Sequence, residues 1–94
     1  MKTDLEFEVK RITKIKGEGT LKAFCDVVIG DAVLIKGLKV VDGKNGLFVS
    51  MPSERGKNGK WYETVLPLTK ETKEELTRVV MEAYQADEES AVAL

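Results

Sequence analysis

The chain has 94 residues, 43% of them hydrophobic and 33% charged, with a formal net charge of −1. This is the composition of one globular domain rather than of a disordered chain, and at this length folding buries only a little over ~60% of the unfolded surface. With no histidine and a single cysteine, Cys25, structural zinc, Ser-His or Cys-His catalysis and an internal disulfide are all excluded.

Nothing in the chain approaches the ~18–20 consecutive apolar residues that cross a bilayer. The start, MKTDLEFEVKR, is charged throughout and has no signal-peptide apolar core. A cytoplasmic protein is expected, with no membrane partner, no metal and no cofactor. Charge is unevenly spread along the chain. Met1 to Trp61 carries 12 Lys and Arg against 8 Asp and Glu, a net of +4, whereas Tyr62 to Leu94 carries 3 against 8, a net of −5. A basic face is therefore compatible with the acidic balance of the whole.

The first element is a strand. Leu5, Phe7 and Val9 alternate with Glu6, Glu8 and Lys10, the period of a half-buried antiparallel strand. KIKGEGT, residues 14–20, breaks it. A second strand follows in LKAFCDVVIG, with Leu21, Ala23, Cys25, Val27 and Ile29 on one face. Phe24 and Val28 fall on the other face, so that face is also covered in part, by a helix or by a partner subunit. Gly30-Asp31 turns the chain into a third strand, Ala32–Val41. Its alternation slips at Lys36-Gly37, which is how a β-bulge reads in sequence.

Asp42-Gly43-Lys44-Asn45-Gly46 is a hairpin turn, and Asp42 reads as a turn residue accepting backbone N–H groups. The fourth strand is Gly46–Met51, and a short fifth, Trp61–Leu66, ends at Pro67. Beyond it Leu76, Val79, Val80, Ala83 and Tyr84 follow the helical period. Thr69 can cap this helix, or Thr72 with Glu75 can form a capping box one turn later. The expected layout is a sheet over residues 3–67, a helix over 70–86 and a frayed acidic tail over 87–94. There is no internal repeat. The fold class is α+β, a small antiparallel sheet of four to five strands followed by one C-terminal amphipathic helix. One helix covers one sheet face, and the other stays wet or meets a second copy; a homodimer is expected.

The run Val40-Val41-Asp42-Gly43-Lys44-Asn45-Gly46-Leu47-Phe48-Val49-Ser50-Met51-Pro52-Ser53-Glu54-Arg55 resembles the signature of the SpoVG family of stage V sporulation or septation proteins. Gly59-Lys60-Trp61, Pro67, Thr72-Lys73 and Tyr84 also fall where that family has corresponding residues, so the similarity spans residues 3–86. The resemblance implies a cytoplasmic bacterial homodimer that binds DNA, and in some members RNA, in gene regulation, sporulation or cell division and septation. It also implies that binding uses the basic loop after Met-Pro-Ser and the start of the helix, which here means Arg55, Thr72 and Lys73. The chain departs from the family's pattern at Glu54 and Glu75, which stand where a basic residue is usual, and at Tyr62-Glu63-Thr64, where the family tends toward an Asp-containing strand. Each lost phosphate contact weakens binding and its salt dependence.

Each candidate has a plainer reading. Arg55, Lys57 and Lys60 sit in a loop with Gly56 and Gly59 and can reach phosphates, yet loops are commonly charged for solubility. The residues alone favour the second view, and the resemblance tips the balance toward binding. At the helix start Lys70, Thr72 and Lys73 could hold a phosphate on free N–H groups, or form an ordinary solvated cap beside Glu71, Glu74 and Glu75. Trp61 and Tyr62 could stack on bases but are read first as core or interface. Cys25 is a buried, inert thiol, and Asp26 and Asp31 are too isolated for an acid pair or a cation site. The leading expectation is a non-enzymatic nucleic-acid-binding regulator. The alternative is a protein–protein interaction module with weak or vestigial nucleic-acid binding.

Overall fold

A computed structural model describes residues 5–93, with side chains described for residues 5–86. Six strands precede one helix: β1 (Phe7–Lys14), β2 (Leu21–Ile29), β3 (Val33–Gly43), β4 (Gly46–Ser50), β5 (Ser53–Arg55), β6 (Trp61–Glu63) and α1 (Lys70–Ala93). β1 to β4 form an antiparallel meander in chain order, and β5 and β6 pair with each other as a separate two-stranded sheet. The expected α+β layout is present, with the fifth strand placed outside the main sheet. α1 continues seven residues past the expected end at 86. Leu94, the last residue of the expected frayed tail, lies outside the described residues.

The register explains the apolar pattern. Cys25 stands opposite Leu38 and Val27 opposite Ile35, so β3 inserts Lys36 and Gly37 across from Asp26 alone. This is the bulge expected from the phase slip. Gly37 takes φ +92° there, which a side chain would strain, and its N–H donates to Asp26 Oδ1 at 3.4 Å. Asp26 thus serves the backbone of a bulge. A second irregularity, between Val9 and Arg11 in β1, restores Ile12 to the inner face. Asp42 is not in the turn proper: it pairs within β3 opposite Leu47, and Gly43 and Gly46 close the hairpin.

The core lies between the inner sheet face and α1. Ala23, Cys25, Val27, Leu38, Val40, Val49 and Met51 meet Leu76 and Val80, with Val79, Met81 and Tyr84 packed at the margin. Leu76 and Val80 sit one turn apart, as the helical stripe requires. Lys14 at the end of β1 lies 4.7 Å from the centre of the Tyr84 ring, a cation–π contact that ties strand to helix. Thr69 is the helix cap, since the Thr72 N–H donates to its Oγ1 at 3.1 Å.

Burial pushes the Cys25 thiol up from 9.0 to about 11, with the Asp26 carboxylate adding to the shift. A thiol reagent at neutral pH should therefore label Cys25 only after the chain is unfolded. Below pH 9 the thiol is protonated in both states and stability is unaffected. Above it the unfolded chain ionises first, so stability measured by urea titration should fall as pH climbs from 9 toward 11.

Candidate nucleic-acid interface

Arg55, Lys57 and Lys60 come together on the β5–β6 hairpin. Pro52, buried after Met51, breaks off β4, because a proline cannot donate to a sheet ladder. The chain then reverses, with Ser53 opposite Glu63, Glu54 opposite Tyr62 and Arg55 opposite Trp61. At its base Thr64 returns its N–H to the Pro52 carbonyl at 2.8 Å, and its hydroxyl donates to the same oxygen at 3.3 Å. Among the described residues no other strand and no helix packs against the hairpin.

The connection between the strands is a built turn. Gly56 N–H donates to Lys60 O at 2.8 Å and Gly59 N–H to Gly56 O at 3.0 Å. Asn58 Oδ1 accepts the Lys60 N–H at 3.0 Å, and Asn58 Nδ2 donates to the Tyr62 hydroxyl at 2.7 Å. The Tyr62 ring covers Gly56 so closely that a Cβ there would lie 2.7 Å from it, which only glycine accommodates. A short turn so fully bonded loses little freedom on meeting a ligand.

Side chains alternate along a strand and directly opposed residues share a face. Arg55 and Trp61 therefore stand on one face of the hairpin, with Ser53 and Glu63 further along it, while Glu54 stands on the opposite face with Tyr62. The acidic residue at a usually basic position is thereby turned away from Arg55. Arg55, Lys57 and Lys60 are exposed and make no ion pair among the described residues.

The helix start differs. Thr72 and Lys73 lie on α1, which makes no contact with β5 or β6, so the structure does not join them to the hairpin. The Thr72 hydroxyl accepts from Thr69 Oγ1 at 2.8 Å, Lys73 N–H donates to Thr69 O at 3.1 Å, and Lys70 pairs with Glu74 at 3.8 Å. The Thr72 N–H and hydroxyl are thus engaged in the cap. Glu75, the other acidic departure, is held by Arg78, whose Nε and Nη2 donate to its two oxygens at 2.9 and 2.5 Å; Arg78 also reaches Glu82.

A groove of about 330 Å³ at the start of β1 is lined by Glu6, Glu8, Asp31 and Glu75 with Leu5, Phe7 and Val28. Glu6, Glu8 and Asp31, which make no ion pair among the described residues, give it a lining unfavourable to a polyanion. Among the described residues no cluster of His, Cys, Asp or Glu is arranged to hold a metal ion, and no helix is long and apolar enough to cross a membrane. Trp61 and Tyr62, read first as core or interface, are not core: both residues are exposed in the single chain, at 65% and 50%. The hairpin ends where the fifth strand was expected to continue, so no neighbouring strand covers them.

The SpoVG family model matches residues 6–86. A protein of Archaeoglobus fulgidus named as septation protein SpoVG is 42% identical over 83% of this chain and 92% of its own length. One of Heliobacterium modesticaldum with the same name is 36% identical over 88% of this chain and 93% of its own length. In Symbiobacterium thermophilum the identity is 43% over 88% of the chain, which spans 59% of that longer relative. The family match runs from β1 through the basic hairpin into α1, and the chain belongs to the SpoVG family.

Proposed function

We propose that the protein binds nucleic acid through the β5–β6 hairpin and acts as a cytoplasmic, non-enzymatic regulator in a process connected with sporulation or septation. The observation that carries this reading is the hairpin itself. Three cations, Arg55, Lys57 and Lys60, stand on a preorganised projection with no carboxylate paired to them among the described residues. Such cations release condensed counterions from a phosphate backbone whatever its sequence. The names of the relatives point to the process, septation.

Two copies are part of the proposal. The sheet face away from α1 carries Phe24, Leu34 and Phe48, exposed at 39%, 48% and 48%. Val28 stands beside Leu34, and Val41 beside Phe48. Exposed apolar side chains gathered on one sheet face mark an interface, and Asp26 and Lys39 among them suit a self-complementary one. Light scattering at micromolar concentration should give twice the chain mass, and Phe48→Glu should halve it without changing the circular dichroism spectrum. A monomeric mass for the unaltered chain is the contrary result.

The binding test is an anisotropy titration on DNA and RNA at two salt concentrations. Affinity should be measurable at low salt and fall as salt rises. Absence of binding even at low salt would favour the interaction module, with the hairpin meeting an acidic protein instead.

A further inference from the structure

The two adjacent aromatics of β6 do different things. Tyr62 builds the turn, with its hydroxyl bonded to Asn58 and its ring pressed over Gly56. Trp61 builds nothing comparable. It is 65% exposed, the most exposed aromatic among the described residues, and it stands across the ladder from Arg55 and next in sequence to Lys60. A large indole held open in water, across the ladder from the unpaired cation Arg55 on a hairpin that also carries Lys57 and Lys60, is the pairing of positive charge and free π-face that grips unpaired bases.

We infer that Trp61 is a stacking platform for an unpaired base, so that the hairpin's ligand is single-stranded nucleic acid. This rests on the nucleic-acid reading above and narrows it. In a duplex the base faces are already covered by their neighbours. In a single strand a base can leave its neighbours and lie on the indole while Arg55, Lys57 and Lys60 hold the flanking phosphates. The alternation of β5 keeps Glu54 off this face, and Glu63, further along it, marks the end toward which the strand does not extend. Arg55 beside the indole also offers a guanidinium plane on which a second base can rest.

Trp61 is the chain's only tryptophan, so its emission reports on this ring alone. The experiment titrates the full chain with fluorescein-labelled oligothymidylate, and separately with the duplex of that strand and oligoadenylate. Anisotropy measures binding and tryptophan emission, read with unlabelled strands, measures stacking. The single strand should bind more tightly than the duplex, and emission should fall in step with its saturation. Trp61→Ala should weaken single-strand binding by roughly 5- to 150-fold, the range for one base stacked on an aromatic ring, and leave duplex binding as it was. Trp61→Phe should restore most of the loss. Saturable binding with unchanged emission, or equal affinity of Trp61→Ala, would overturn the stacking role and leave the cationic interface standing. No binding of either probe at low salt would overturn both.

Discussion

Replacing Leu38 with alanine should lower the stability of the fold by about 2–5 kcal/mol, the range for truncating a large aliphatic side chain in a closed core. Leu38 is fully buried and sits opposite Cys25 in the middle of the inner sheet face, under α1. It also follows the Gly37 bulge directly, so the backbone around it is bonded into a fixed path and cannot collapse into the space left. A chain of this size has a total stability on the order of 5–10 kcal/mol, so the change removes a large part of it. Urea unfolding followed by circular dichroism should show a midpoint shifted well downward with an unchanged slope. An exposed counterpart such as Leu47→Ala, near the far end of β4, should move the midpoint little. Equal shifts at the two positions would mean that the core does not lie where the structure puts it.

Arg55→Ala combined with Lys57→Ala should reduce nucleic-acid affinity and, more tellingly, flatten its dependence on salt. Each phosphate contact contributes about 0.9 to the slope of log affinity against log salt on duplex DNA and about 0.7 on a single strand. Two cations removed from one hairpin should therefore lower the slope on a single strand by about 1.4, and from two hairpins engaged together by roughly twice that. The slope thus counts hairpins on the ligand independently of the mass of the free protein. Stability should be unaffected, because neither side chain touches the core. A double variant whose salt slope matches that of the unaltered chain would remove the hairpin from the interface, whatever its affinity.

Much of the architecture was legible because it is written in periods. The alternation in β1 and β2 placed Cys25 and Val27 inside, the slip at Lys36-Gly37 marked a real bulge, and the spacing of Leu76 and Val80 gave the buried side of α1. Phe24 and Val28 fall on the helix-free face as the alternation placed them, where Phe24 is exposed in the single chain. What was missed has no period to read. Ser53-Glu54-Arg55 is three polar residues long, and only its pairing with Trp61–Glu63 makes it a strand. The extension of α1 to Ala93 runs through a stretch without an apolar stripe, where alanine and glutamate propensity favours helix. The candidate site was legible in its cations and not in its geometry. Sequence placed Arg55, Lys57 and Lys60 in one loop, and the family likeness added Thr72 and Lys73. That Glu54 faces away, that Tyr62 locks the turn while Trp61 stays open, and that α1 does not pack on the hairpin all depend on pairings absent from linear order.

The separateness of the β5–β6 hairpin has a further consequence, for how such a protein can change. A substitution there and a substitution in the meander share no partners, so their effects on stability should add. Charges on the hairpin can then be changed without drawing on the narrow margin that keeps a small domain folded. The hairpin can be recharged while the scaffold stands still.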